Sequence, residues 1–451
     1  MPFNIDRKVA GDLLVVSSAA QADGTTPATL TKLLGWDEES TLNIERDSET
    51  NEGEKTGQVE ATSVDTKGRK AAGKLSTKKA QPDHIAWALR MLLGAATSSA
   101  LGVGFKHVFK MSAYPTNPPY FTAAHRKGGA SALSNPADFA RQRGLAIAQS
   151  ELNAQKGEFL ALNLTVVGLG YLDDGIVHEV FTPTFTAGTA TVTLTADPEG
   201  ATDGARADRI QAFVDGTGVG YHELPLTIVS YVAATNVLTV SSGSLSGAHS
   251  VRVSYYRTAT VDTWKTDVLA AVGQTEYKMK AANMRLYLGG EIDTSLATPT
   301  LTGGQYGECE IDDFKWDFNW NAEASSCWAT TDPPDEVGYA QQVETGDVVQ
   351  RITVNRGVRD WLMKQLLDLD KPFGISIWSK GPEWEAGNRY FVQLFFPYCK
   401  VLTPKQEAQD GKWRDNLEIA VLKDPGIAAG GLQDNQVTVA AIIQNMVATY
   451  A

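Results

Sequence analysis

Cysteine is nearly absent from this chain: three residues, Cys309, Cys327 and Cys399, stand far apart. An odd number without CxxC or Cys/His spacing argues against a disulfide framework and a zinc site, and points to a reduced cytoplasmic origin. Histidine is scarce as well, and the six residues at 84, 107, 125, 178, 222 and 249 form no HxxH or HExxH pair. No metal or cofactor is therefore expected. No apolar run approaches the ~20 residues of a membrane helix. The start, Met1-Pro2-Phe3-Asn4-Ile5-Asp6, lacks a basic region followed by an apolar core, so no signal peptide is expected. Positive charge is in deficit, with 40 Lys and Arg against 53 Asp and Glu, a net charge of −13 and a pI near 5.0. Binding nucleic acid requires cations to displace counterions from phosphates, and this balance opposes it. A chain that accompanies DNA while repelling it is compatible with the same balance.

The 451 residues allow roughly three domains at ~150 residues each. Hydrophobic residues make up 43% and charged residues 21%, enough for ordinary cores. Glycine and Thr/Val-rich runs predict a mainly β fold of strands joined by tight turns. Residues 1–40 read as an N-terminal arm. From Thr41 the pattern alternates, with Leu42 and Ile44 opposite Thr41, Asn43 and Glu45. A polar loop spans Ser48 to about Lys67, and another strand occupies 68–78. Pro82-Asp83 opens a helix carrying Ile85, Leu89 and Leu92 on one stripe and stopping at Gly94. Two runs, Leu145 to Leu152 and Phe159 to Val167, form a hairpin.

The second half repeats this order. Phe314, Trp316, Phe318 and Trp320 alternate with Asp313, Lys315, Asp317 and Asn319. A polar loop from Asn321 to about Asp347 leads to a strand Val348 to Val354 and a helix bearing Val358, Leu362 and Leu369. Strands near Gly374 to Trp378 and Tyr390 to Phe396 precede a hairpin through Gln406 to Lys412. Trp87 precedes Leu92-Leu93 as Trp361 precedes Leu366-Leu367. The turns Ala154-Gln155-Lys156-Gly157-Glu158-Phe159 and Ala408-Gln409-Asp410-Gly411-Lys412-Trp413 share Ala-Gln, Gly and an aromatic at equal spacing. A duplication follows: unit 1 at 41–172, unit 2 at 263–432 and a C-terminal arm at 433–451. Between them, 173–262 reads as a small β-sandwich with short strands at Thr191–Thr195, Arg209–Val214, Leu226–Val232, Val237–Ser241 and Val251–Tyr256. It is expected to project outward.

Chemistry is sparse. Gly216 to Gly220 has spaced glycines without the lysine of a phosphate loop. Gly243 to Gly247 imitates a nucleophile elbow but holds Leu245 at its centre. The aromatic strand Phe314 to Trp320 is interleaved with acids, unlike the basic stacking platforms of single-strand binders, and reads as core or subunit contact. Long polar loops at matching places in both repeats suggest a shared role in covering a neighbouring subunit.

Leu42-Asn43-Ile44-Glu45-Arg46-Asp47, Gly73-Lys74-Leu75-Ser76 before Pro82-Asp83, and Leu92-Leu93-Gly94 resemble tail tube proteins of long-tailed, non-contractile bacteriophages. Met279-Lys280-Ala281-Ala282, Leu286-Tyr287-Leu288-Gly289-Gly290 and the Phe314 strand extend the resemblance over most of both repeats, though not the stretch between them. It implies a structural, non-enzymatic subunit of the virion tail, assembled in the host cytoplasm. Inner strands of such subunits close a β-barrel around a DNA-conducting lumen, helices lie outside it, and loops and arms clasp the next ring. The implied partners are other copies of the chain, the tail terminator, the tape measure and the distal tail protein, with DNA passing through without specific binding. Two units per chain imply a ring of three chains with six-fold-like symmetry; a ring of six is the competing expectation. Glu45, Asp47, Asp313 and Asp317 are the candidate lumen-facing residues, where acidity would repel phosphates over ~10 Å. The alternatives are a terminator or distal-tail ring protein, or a secreted carbohydrate-binding protein.

Overall fold

The computed structural model describes residues 12–50, 64–111, 118–126, 139–214, 224–258, 262–271, 273, 276–294, 296–307, 311–325, 342–357, 372–409, 411–423 and 437–450. The fold is mainly β. Two compact units emerge: a smaller one of Met1–Val15, Ala124–Gln142 and Leu172–Val272, and a larger one of Val16–Ala123, Arg143–Tyr171 and Gly273–Ala451.

In the smaller unit, one sheet pairs Ile176–Phe181 with Val251–Tyr256, which pairs with Ile210–Val214. A second sheet pairs Thr189–Thr193 and Thr227–Val232 with Val237–Ser241 between them. Alternation decides the facing: Ala190 and Val192 are buried while Thr189, Thr191 and Thr193 are exposed. Both sheets contribute to one core that includes Val192, Leu238, Val240, Val214 and Val253. The turn expected at Ala233–Asn236 is present, with Asn236 in the left-handed region at φ 54°. The glycines at 216–220 lie outside the described residues.

Twelve strands of the larger unit carry the argument. They are β1 (Thr41–Thr50), β2 (Val64–Thr77), β3 (Gly104–Lys110), β4 (Phe139–Gln155), β5 (Leu160–Asp173), β6 (Met284–Leu288), β7 (Ile311–Asn319), β8 (Val349–Gly357), β9 (Phe373–Glu385), β10 (Asn388–Gln409), β11 (Lys412–Val421) and β12 (Ala440–Asn445). Antiparallel pairings β1–β2 and β2–β5 form one run. Strand β4 lies beside β5 and pairs with β7. Pairings β7–β8, β8–β11 and β11–β10 then complete a ribbon ordered β1-β2-β5-β4-β7-β8-β11-β10. The other half of β10 turns into a second layer, between β9 and β12.

One face of the ribbon is core. Leu75, Leu164, Phe314, Trp316, Phe318, Ile352, Val354, Leu417 and Ile419 are all buried. The aromatic row of β7 is therefore packing surface: Trp316 lies 5.5 Å from Phe396 and 6.0 Å from Phe318 between ring centroids.

The helix α1 (Pro82–Leu93) starts and stops as expected. His84 Nδ1 accepts from the Gln81 N–H at 3.3 Å, and Gly94 at φ 102° donates its N–H to the Arg90 carbonyl at 3.1 Å. Only Arg90 escapes full burial, so the helix is surrounded on nearly every side and not along one stripe alone. Trp87 is 0% exposed and its indole N–H donates to the Ser17 carbonyl at 2.8 Å.

Several expectations shift. The N-terminal stretch 1–40 is not wholly an arm: Leu13–Ser17 and Leu30–Leu33 are strands with Val15, Val16 and Leu30 buried. The C-terminal stretch 433–451 holds β12, inserted between β3 and β10, because Ala440 to Ile443 are apolar enough to bury on both faces. Strands expected at Gly374–Trp378 and Tyr390–Phe396 run on as the long hairpin β9–β10. The loop at 321–347 contains the paired strands Glu323–Ser325 and Gln342–Glu344. The helix expected around Val358, Leu362 and Leu369 lies outside the described residues.

Candidate functional site

The outer face of the ribbon is mostly polar, although Ala72, Val167 and Ala420 also lie on it. Alternation puts Thr41, Asn43 and Glu45 of β1 on it, and cross-strand register carries the same face to Lys70 and Lys74 of β2. It continues through Glu151 and Asn153 of β4, then Asp313, Lys315 and Asp317 of β7. Arg351 and Asn355 of β8, Arg414 and Glu418 of β11, and Lys405 and Glu407 of β10 complete it. Three of the candidate residues, Glu45, Asp313 and Asp317, thus share one surface. The side chain of Asp47 lies outside the described residues.

That surface is not simply acidic. Glu45 faces Lys70 at 3.8 Å, with both side chains about half exposed, so the pair contributes only a few tenths of a kcal/mol, about 0.2–1. At the β4–β7 contact Lys315 bridges Glu151 at 2.5 Å and Asp317 at 3.2 Å. Burial pushes the Asp317 carboxyl up and the Glu151 charge adds to it, against the pull of Lys315. Glu151 moves down: its burial is outweighed by hydrogen bonds from Lys315, Asn153 and Asn163. Burial pushes Asp313 up, reinforced by the neighbouring Asp312. Arg414 holds Asp312 at 2.7 Å and Lys156 holds it at 3.2 Å. Carboxylates and cations alternate across the face, so the net charge of −13 is not concentrated there.

A second polar constellation lies inside the larger unit. Asp83 in the first turn of α1 is ion-paired with Lys32 and accepts from the Tyr450 hydroxyl at 2.5 Å. Asn445 of β12 donates to that hydroxyl at 2.7 Å and meets His107 Nε2 at 3.1 Å. Glu276 accepts from the backbone N–H groups of Asp83 at 3.0 Å and Met446 at 3.1 Å. Sequence reasoning missed this group, whose hydrogen-bonded partners stand up to 367 positions apart. Its only signal was Asp83 beside Pro82, read as a helix start. Chemically it is a latch: it ties the segment after β12 to the N-terminus of α1.

Burial, helped by the Asp83 charge, pushes the Glu276 carboxyl up to about 7, against the Met446 and Asp83 N–H groups and Lys32. An unfolded carboxyl with the ordinary value of 4.5 ionises first, so unfolding releases a proton between those values. Stability from this group is full below the lower value and is lost as pH rises through the upper, by about 3 kcal/mol at most. His84 and His107 act oppositely, since burial pulls both down and stability falls as pH drops below their ordinary value. The Glu276→Gln variant isolates the carboxyl. Urea unfolding at stepped pH is expected to show wild type losing ground to the variant from pH 5 to 8; a constant gap would remove the linkage.

Comparison with protein-family models and with curated proteins finds no match to this chain.

Proposed function

We propose that this chain is a structural subunit of a bacteriophage tail tube, building stacked rings around a lumen that conducts DNA, and that it performs no catalysis. The observation that carries this reading is the order of the ribbon. In the first quartet, sequence order β1, β2, β4, β5 becomes spatial order β1-β2-β5-β4. In the second, β7, β8, β10, β11 becomes β7-β8-β11-β10. The matching turns lie at the same place in both: Glu158 N–H donates to the Gln155 carbonyl at 3.0 Å, and Gln409 pairs with Lys412. Two tandem tube-type units, with the β domain at 173–262 set between them, account for this repetition.

A wide antiparallel ribbon with one apolar and one polar face suits a tube wall. Its polar face, with Glu45, Asp313 and Asp317 among its residues, is the proposed lumen lining, and Asp47 is the fourth residue proposed to face the lumen. Alternating signs would let DNA pass without a continuous cationic track to hold it. Each ring would comprise three chains in six-fold-like symmetry, and the terminator, tape measure and distal tail proteins would be its neighbours in the virion. Negative-stain microscopy at high concentration, with mass measurement of the particles, tests this. Hollow stacked rings of three chains are the expected result. Rings of six would keep the function and overturn the three-chain count; a protein that stays monomeric at every concentration would count against the function itself.

A further inference from the structure

We propose that Ser98 is a nucleophilic serine, with His107 as its base and Asn445 as the positioning residue, and that it takes up one acyl or phosphonyl group from an activated donor. Such a site is independent of the tube reading, because it calls for a single covalent modification per chain and no turnover. Ser98 lies on the strand Thr97–Leu101, joined to β3 by the two-residue turn Gly102-Val103 with Gly102 at φ 62°. The tight turn fixes the register and sets Ser98 directly opposite His107. Its Oγ stands 2.8 Å from His107 Nδ1, within the reach that a nucleophile and its base require.

Proton positions follow from the partners behind the ring. The Tyr450 hydroxyl gives its proton to Asp83, so it accepts from Asn445 Nδ2 at 2.7 Å. That bond turns the amide oxygen of Asn445 the other way, where the Val447 N–H reaches it at 3.0 Å and His107 Nε2 at 3.1 Å. An amide oxygen only accepts, so Nε2 carries the imidazole proton and Nδ1 is left bare toward Ser98. The Ser98 hydroxyl is then the donor, and its proton has a place to go. His107 and Asn445 are both 0% exposed. The ring is held by Tyr450, edge-on at 4.7 Å between centroids, and by Phe105 at 6.4 Å. A base already fixed in one tautomer and one orientation needs no ordering at the moment of reaction.

Ser98 itself is half-buried, and its neighbours Thr97, Ser99 and Ala100 are small and exposed, so a donor can approach from solvent. With a fluorophosphonate, the Oγ–P bond forms as the P–F bond breaks. Fluoride leaves with the bonding electron pair, and the hydroxyl proton goes to His107 Nδ1 and then to water. Burial pulls His107 below its ordinary value of 6.5, and Lys32 acts the same way, while hydrogen bonds with Asn445 and Val447 and the Asp83 charge oppose them. The ring is therefore mostly neutral, and competent as a base, at pH 7. Two serines are internal controls. Ser99, the next residue on the strand, points to the opposite face from Ser98. Ser254 of the smaller unit meets His178 Nδ1 at 2.7 Å, but that ring is exposed and water competes for both its nitrogens.

Treating the native full chain with a fluorophosphonate and locating the adducts by fragmentation mass spectrometry tests this. Ser98 should be modified at least about tenfold faster than Ser99 or Ser254, a modest share of what general-base assistance supplies. The rate should hold level across neutral pH and fall only below 6.5, as His107 takes up a proton. Ser98→Ala should remove the adduct, and so should His107→Gln. Because the His107 ring is wholly buried, the acid fall in the wild-type chain supplies the same test without a substitution. In urea the preference for Ser98 should disappear. Equal rates at the three serines of the native chain, or Ser98 labelling indifferent to acid, would show that the hydrogen bond only ties two strands together and would overturn the proposal.

Discussion

Replacing Trp316 with alanine is expected to cost about 3–5 kcal/mol of folding stability, among the largest effects a single truncation can have. Trp316 is 2% exposed and lies between Phe318 and Phe396, which belong to different layers of the larger unit. Its indole N–H donates to Gln350 Oε1 at 3.3 Å, and Gln350 in turn donates to Thr438 Oγ1 at 3.0 Å. Alanine leaves a cavity and strands a buried amide oxygen, two costs that add. Trp413→Ala provides the contrast. That ring is 66% exposed, so its loss should change monomer stability by no more than ~0.5 kcal/mol. Denaturant unfolding of both variants measures the difference. A Trp316→Ala protein as stable as wild type would mean that the β7 aromatic row is not core, and the ribbon would lose its apolar face.

The same row explains what could be read from the sequence. Strict alternation of Phe314, Trp316 and Phe318 against Asp313, Lys315 and Asp317 fixes a strand with one buried and one polar face, because side chains alternate with period two. The short strands of the smaller unit were legible for the same reason, Val192 against Thr191 and Thr193. Where alternation lapses, the reading fell short. Ala440 to Ile443 are apolar without interruption, and nothing local distinguishes an arm from a strand buried on both faces. β10 changes neighbours near Cys399, which pairs with both Phe373 and Val421. A register of that kind is set by the twist of two layers, not by the strand itself. Glu45, Asp313 and Asp317 fall on one face of the ribbon by strand register. Their cationic partners Lys70 and Lys315, and the bridging Glu151, come from strands whose order the sequence does not state. Charge balance on the ribbon is thus a property of pairing, which composition alone does not state.

The buried latch carries the second large effect. Asp83→Ala is expected to cost about 3–5 kcal/mol, because it leaves Lys32 buried without its counter-ion. The Lys32 side chain is 11% exposed and that of Asp83 is 4%, so water gives little compensation. Position in the first turn of α1 adds a smaller loss, about 0.3–1 kcal/mol, since a carboxylate there complements the helix dipole. The isosteric Asp83→Asn should be milder. Its side-chain oxygen still accepts from Tyr450, and removing the Asp83 charge takes away one of the two influences that hold the Glu276 carboxyl up. Glu276 then ionises at lower pH and becomes the available counter-charge for Lys32. Two measurements separate this exchange from a simple loss. Denaturant unfolding should rank Asp83→Ala below Asp83→Asn, and the pH dependence attributed to Glu276 should move toward acid in the asparagine variant. Equal destabilisation by both, with the pH dependence unmoved, would show that Asp83 acts through packing alone and that the two carboxyls are not coupled. If the coupling holds, the Asp83 charge helps to set the protonation of Glu276, and the hold of the C-terminal segment on α1 depends on both side chains.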